Sequence, residues 1–377
     1  MIRLTLCAAL ALGTAGISAQ STPPATQSTD AGQVTLPVVV HDRKGDLVPN
    51  LTKDSFELQV DSHPQAIRSF KPDGDQPLTL GILVDTSMSY RDVIEEERTS
   101  SAAFLDDLLK GPADNKAFVV QFSSQIDLLQ DVTSSKPMLH AAVNQLTSSG
   151  NPNQASVTAP GDTKSSNGRK VVTALYDSLY LSSNDVIGKQ KGRKVLIVLS
   201  DGIDQGSKET MSPTLEAIQR SGAVVYAIYF KGKEPNLDRG FHVGQGDPNG
   251  CSGYPGGGYP GGYPGGYPGG YPGGYPGDPG GCGGRVPQGV PLPDGKKTLQ
   301  HIATETGGEL FEVSKKDTLA DIYKMIGDDL RAECQLSYTP DDKAASGGYH
   351  KIALTPAKAS PKDFVIQTQT GYYVGDE

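Results

Sequence analysis

The sequence has few apolar residues, little positive charge and almost no long hydrophobic runs, and each shortage excludes something. Hydrophobic residues, glycine not counted, make up 36% of the 377 positions, and Trp is absent. A net charge of −9 argues against tracking nucleic-acid phosphates and against a polybasic contact with a membrane surface. The one long apolar run, Leu4–Leu12 behind Arg3, is too short to span a bilayer. It reads as the core of an export signal, residues 1–19, cleaved after Ala19, so the expected protein is exported, periplasmic or extracellular, with no membrane span after cleavage. Cysteine is scarce as well. No Cys-x-x-Cys pair and no zinc-type spacing occur among the four cysteines and six scattered histidines.

The Gly and Pro content has a local cause. The chain holds 46 Gly and 27 Pro, of which 20 and 8 fall within residues 244–284. There Tyr-Pro-Gly-Gly recurs from Tyr259 to Tyr275. Proline fixes φ and glycine frees the next residue, so the repeat reads as loose turns without a packed core. Cys251 and Cys282 bracket it, and in an oxidising compartment they are expected to staple its base, leaving Cys334 over. Outside 244–284 the share of Gly and Pro is close to the ~12% average; the whole insertion is taken as 244–295.

Outside the insertion the pattern changes twice. Residues 20–32 are polar and rich in Ser, Thr and Pro, a disordered lead. Residues 33–75 carry short strands, Val34–Val40, Phe56–Val60 and Ala66–Phe70, that cannot bury a core alone. From 78 to 331 strands alternate with amphipathic helices. Leu78–Val84, Ala117–Phe122, Val195–Leu199 and Ala223–Phe230 read as buried strands. Helical stripes run through Ala102, Leu105, Leu108 and Leu109; through Leu139, Ala142, Val143 and Leu146; through Leu299, Ile302, Ala303 and Thr306; and through Leu319, Ile322, Tyr323, Ile326 and Leu330. This alternation predicts a doubly wound, Rossmann-like α/β domain. Residues 332–377 return to β-like runs, and the two β segments are expected to pair as a small flanking sandwich.

In an open α/β sheet, ligands bind beyond the carboxyl ends of the strands. One predicted strand runs into Asp85-Thr86-Ser87-Met88-Ser89, a later one into Ser200-Asp201-Gly202, and Thr173 opens a short helix between them. Singly each has an ordinary reading: Asp85 as a strand-end turn residue, Ser89 or Thr173 as a helix cap, Asp201-Gly202 as a turn pair. Together Asp-x-Ser-x-Ser, a Thr and a later Asp-Gly form the metal-ion-dependent adhesion site pattern. On these residues the sequence resembles a von Willebrand factor type A domain over residues 78–331. The flanks, Leu51-Thr52-Lys53-Asp54-Ser55-Phe56-Glu57, Leu336-Ser337-Tyr338-Thr339-Pro340 and Gly371-Tyr372-Tyr373, resemble the acidobacterial family related to that domain. There are two departures from the pattern: Val171-Val172 precede Thr173 where glycine is usual, and Met88 stands where glycine is common.

The resemblance implies a metal site of Asp85, Ser87, Ser89, Thr173 and Asp201. An all-oxygen set of this kind selects a hard cation, Mg²⁺ first, with Mn²⁺ or Ca²⁺ able to substitute. It also implies a protein partner whose acidic side chain completes the shell, and so an adhesion or protein-interaction module with no enzymatic activity. Two other classes stay open on the residues: an envelope scaffold with a vestigial site, and a metal-assisted hydrolase in which Asp85 and Asp201 share a water. Against the hydrolase, neither serine sits in a Gly-x-Ser-x-Gly elbow.

Overall fold

A computed structural model describes residues 32–87, 93–112, 114–147, 173–231, 294–341, 347–357 and 364–374. The leader, Met88, Ser89, Val171-Val172, Cys251, Cys282 and the Tyr-Pro-Gly-Gly repeat lie outside the described residues.

The middle of the chain forms a six-stranded sheet. Its strands are β5 (Leu78–Asp85), β6 (Lys116–Phe122), β7 (Ile126–Thr133), β8 (Arg193–Ser200), β9 (Val224–Tyr229) and β10 (Leu310–Glu312), in the order β10-β9-β8-β5-β6-β7. All pairings are parallel except that of the edge hairpin β6–β7. Every residue of β5 is buried, because helices cover both faces of the sheet. The helices α1 (Ile94–Leu108), α2 (Lys136–Gln145) and α6 (Leu319–Ala332) pack on one face, against Leu80, Ile82, Val195 and Ile197. On the other, α3 (Leu175–Leu181), α4 (Met211–Ser221) and α5 (Gly295–Thr306) meet Leu83, Phe118, Leu196 and Val198. Gly81 faces this second layer, where a Cβ would stand 2.3 Å from the Phe118 ring, so only glycine fits.

Three of the four predicted stripes are buried as expected, and α5 ends where it should, at Gly307 in the left-handed conformation with φ 85°. In α1 the buried face is rotated. Glu97, Ser101, Phe104 and Leu105 point inward, while Ala102, Leu108 and Leu109 are only partly buried. On that face the hydroxyl of Tyr323 on α6 donates to the buried Glu97 carboxylate at 2.7 Å.

The terminal segments build the flanking β-structure together. They supply β1 (Val34–Asp42), β2 (Phe56–Val60), β3 (His63–Gln65) and β4 (Ile67–Pro72) from one side of the chain. From the other come β11 (Cys334–Tyr338), β12 (Gly348–Pro356), β13 (Phe364–Gln367) and β14 (Gly371–Val374). The two sheets run β13-β1-β11-β4 and β14-β12-β2-β3, so each mixes strands from both ends. Val34, Leu36, Val38 and Val40 alternate inward from β1 to meet Phe56, Leu58 and Val60 from β2. The fold class expected from the sequence, a doubly wound α/β sheet with flanking β-structure from both termini, is the one observed.

Arg193 joins the two regions at the amino end of the parallel sheet. Its guanidinium is buried, 2.9 Å from the Glu333 carboxylate, and donates to the carbonyls of Gly74 and Leu330. One side chain thus holds both the segment leading into β5 and the segment leaving α6. Beside it, His41 of β1 pairs with Asp329 of α6 at 2.9 Å, and the Asp329 carboxylate raises the His41 pKa.

Candidate metal centre

The connection out of β5 runs to β6 on one side, while β8 and β9 lie on the other. The carboxyl ends of β5 and β8 therefore flank the point where strand order reverses, the usual place for a ligand in such a sheet. The register pairs Val84 with Leu199, which brings Asp85 beside Ser200. Asp85 is fully buried. One of its oxygens accepts the Ser87 main-chain N–H at 2.9 Å, and the other accepts the Ser200 hydroxyl at 2.8 Å. Ser200 in turn accepts the N–H of Gly202 at 3.0 Å, which shapes the turn that presents Asp201. Ser200 was not singled out in the sequence; its signal was a hydroxyl ending an apolar strand immediately before Asp201.

Burial raises the Asp85 pKa to about 7, and the neighbouring Asp201 carboxylate pushes the same way, against the hydrogen bonds from Ser87 and Ser200. Among the described residues, the side chains that set its charge include no Lys or Arg. Ser87 is buried too; its Oγ lies near the Asp85 carboxylate but makes no well-formed hydrogen bond. An orphaned buried hydroxyl costs about 1–3 kcal/mol. A buried carboxylate without a counter-charge adds to that cost. Both are relieved by a hard cation, so the donor chemistry fits one.

Thr173 is buried at the same end, and the main chain following it is bound to β6 through the Ala174 N–H and the Ser123 carbonyl at 2.8 Å. It does not cap α3: the N-cap residue is Ala174 and no side chain of its own caps the helix. The Asp201 loop packs on the start of α5 with glycine against glycine. A Cβ on Gly295 would lie 2.0 Å from the Asp201 carbonyl, and one on Gly202 2.0 Å from the Gly295 carbonyl. Of the five residues predicted as ligands, Asp85, Ser87, Thr173 and Asp201 are described, and Ser89 is not. Among the described residues no group of three His, Cys, Asp or Glu side chains forms a cation cage. His41, His140 and His350 each pair with an aspartate other than Asp85 or Asp201.

Residues 80–240 match the family model of the von Willebrand factor type A domain. The chain contains a von Willebrand factor type A domain. Its structural neighbours are distant. They include a von Willebrand factor type A protein from Catenulispora acidiphila, 11% identical over 87% of this chain and 75% of that one, with a TM-score of 0.41. Proximal thread matrix protein 1 from the mussel byssus is 15% identical over 72% of this chain, with a TM-score of 0.42; the match spans half of the mussel protein's length. A further structure of the mussel protein has a zinc-occupied metal-ion-dependent adhesion motif and matches 43% of this chain and 38% of that one at 19% identity and a TM-score of 0.32. No curated protein sequence matches the chain. Among the described residues, no helix of the A domain or its flanks is long and apolar enough to cross a membrane.

Proposed function

We propose that this is an exported protein-interaction module whose A domain captures a partner through a divalent cation. Asp85, Ser87, Ser89, Thr173 and Asp201 are the residues that would hold it. Mg²⁺ is the physiological choice for this oxygen-only set, with Mn²⁺ or Ca²⁺ as substitutes. The observation that carries the reading is the buried Ser87 hydroxyl, with no well-formed hydrogen bond, beside a buried Asp85 carboxylate that has no Lys or Arg neighbour among the described residues. When bound, the cation would supply a positive centre with an open position for an acidic side chain of the partner. The chain's own residues do the rest: two strand ends set the carboxylates, and neutral hydroxyls complete the shell without cancelling the charge. In this reading residues 1–19 are the export signal and 20–32 a lead. The A domain is 78–331, with the 244–295 insertion, and it is set into β segments 33–75 and 332–377. The same residues act in capture, with no catalytic step.

The test is thermal unfolding of the mature protein in chelator and across a Mg²⁺ or Mn²⁺ titration. At 100 times the dissociation constant, a bound ion adds about 2.7 kcal/mol. For a domain of this size that is a rise of roughly 5–10 °C. A saturable rise that Asp85→Ala abolishes is expected. A flat titration at millimolar cation would overturn the reading and favour a scaffold with a vestigial site.

A further inference from the structure

We infer that Asp177 and Asp204 are positioning residues for the site, locking Thr173 against the Asp201 loop independently of any cation. The inference deepens the cation reading and rests on it. Thr173 and Asp201 reach the carboxyl end of the sheet from different connections, and the bonds that join them run in both directions. The Thr173 carbonyl accepts the N–H groups of Gln205 and Gly206 at 3.0 and 3.1 Å. Asp204 accepts the N–H of Tyr176 at 3.3 Å and the Ser207 hydroxyl at 2.6 Å. Ser207 Oγ accepts the N–H of Asp177 at 3.0 Å. In return the Asp177 carboxylate accepts the N–H groups of Lys208 and Glu209 at 3.0 and 2.8 Å.

This goes beyond ordinary capping of α3. A helix normally has its first N–H groups satisfied by its own N-cap side chain, and Ala174 has none to offer. The acceptors come instead from the loop that follows Asp201. The hydrogen bonds of both carboxylates go to main-chain N–H groups and to Ser207, so both act on main-chain geometry rather than as ligands. Hydrogen bonds to a carboxylate are about twice as strong as neutral ones, and these hold the chain just after Thr173 at Tyr176 and Asp177. The residue usual before this threonine in the family pattern is glycine, and this sequence has Val171-Val172. Fixing the chain on the downstream side of Thr173 leaves its hydroxyl ordered before a cation binds. Less ordering then opposes binding.

The experiment uses the mature full-length protein and its Asp177→Ala, Asp177→Asn, Asp204→Ala, Asp204→Asn and Ser207→Ala variants. Amide exchange in chelator reads the clasp alone. The Gln205 and Gly206 N–H groups are expected to be protected in the wild type and to exchange at least about tenfold faster in the alanine variants. Mn²⁺ affinity, read from the paramagnetic resonance of the free ion, is expected to weaken about 10–100-fold in the alanine variants. The asparagine variants, which keep an acceptor oxygen, recover most of it, and Ser207→Ala moves it in the same direction by a smaller factor without changing a charge. Alanine variants that lose amide protection yet bind Mn²⁺ like the wild type overturn the inference, as does unchanged protection. Mn²⁺ binding that is absent from the wild type, or equal in Asp85→Ala, overturns the cation reading itself and the inference with it.

Discussion

The two ends of the parallel sheet handle buried charge in opposite ways. At the amino end, Glu333 lies against Arg193, and Asp329 against His41. Arg193 also closes two main-chain carbonyls. At the carboxyl end Asp85 is buried as deeply, yet its charged neighbour is another carboxylate, Asp201. The amino end is built to be finished by the protein's own side chains, because there the entering and leaving segments must be held. The carboxyl end keeps an uncompensated acid and an unbonded hydroxyl, a cost sustained where a ligand can remove it. Among the described residues, the buried acids of the amino end have a cationic side chain or imidazole beside them and Asp85 has none. Glu97, buried against only the Tyr323 hydroxyl, shows that lacking a cation is not by itself the mark of a site.

The largest test of that contrast is Arg193→Met. Removing one partner of a buried ion pair costs about 3–5 kcal/mol, and here two carbonyls lose their donor as well. Urea denaturation should show the full loss, and a change within error would mean that Arg193 does not join the two regions. Asp85→Asn should act with the opposite sign in metal-free protein. Folded Asp85 keeps its proton up to about pH 7, whereas the unfolded chain releases it near 3.8. Wild-type stability in chelator therefore falls as pH rises between those values, and the asparagine variant escapes the fall. The gain at pH 8 is on the order of 4 kcal/mol and vanishes below pH 4. Parallel denaturation curves at the two pH values check it. The smallest effect belongs to His41→Gln. Asp329 first, helped by Glu309 and Asp42, raises the His41 pKa against the effect of burial. Its contribution is whole below about pH 6.5, the unfolded value, and is lost as pH rises through the elevated folded one. The variant should lose about 1 kcal/mol at pH 6 and little at pH 9, measured by melting across that range.

Much of this was legible in the sequence because apolar period reports burial directly. The stripe Leu319, Ile322, Tyr323, Ile326 and Leu330 is buried throughout. Phe56–Val60 forms a strand with the predicted limits. What escaped was polar. Glu97 and Arg193 carry no mark in the sequence, since a pattern of residues holds no sign of a tyrosine or glutamate that will meet them from a distant element. β14 was hidden behind a Gly-Tyr-Tyr run with no alternation, and the short β3 sits in what reads as a turn. At the site, the order of motifs pointed to Asp85, Ser87, Thr173 and Asp201 because their spacing follows strand ends. The Asp177–Asp204 exchange was invisible for the same reason as the Arg193 node: its members are far apart in sequence and meet only through the fold.

The flanking β-structure has a consequence for how the chain assembles. The neck between β4 and β11 joins Ser69 to Ser337, 268 positions apart. Closing a loop of that length in an unfolded chain costs about 5 kcal/mol of entropy, more than a few ladder bonds return on their own. The neck is therefore expected to zip only after the α/β domain has drawn its two ends together. Pulsed amide exchange during refolding should protect β8 and β9 before β11, with the terminal strands as the final stitch that turns an already folded domain into a closed one.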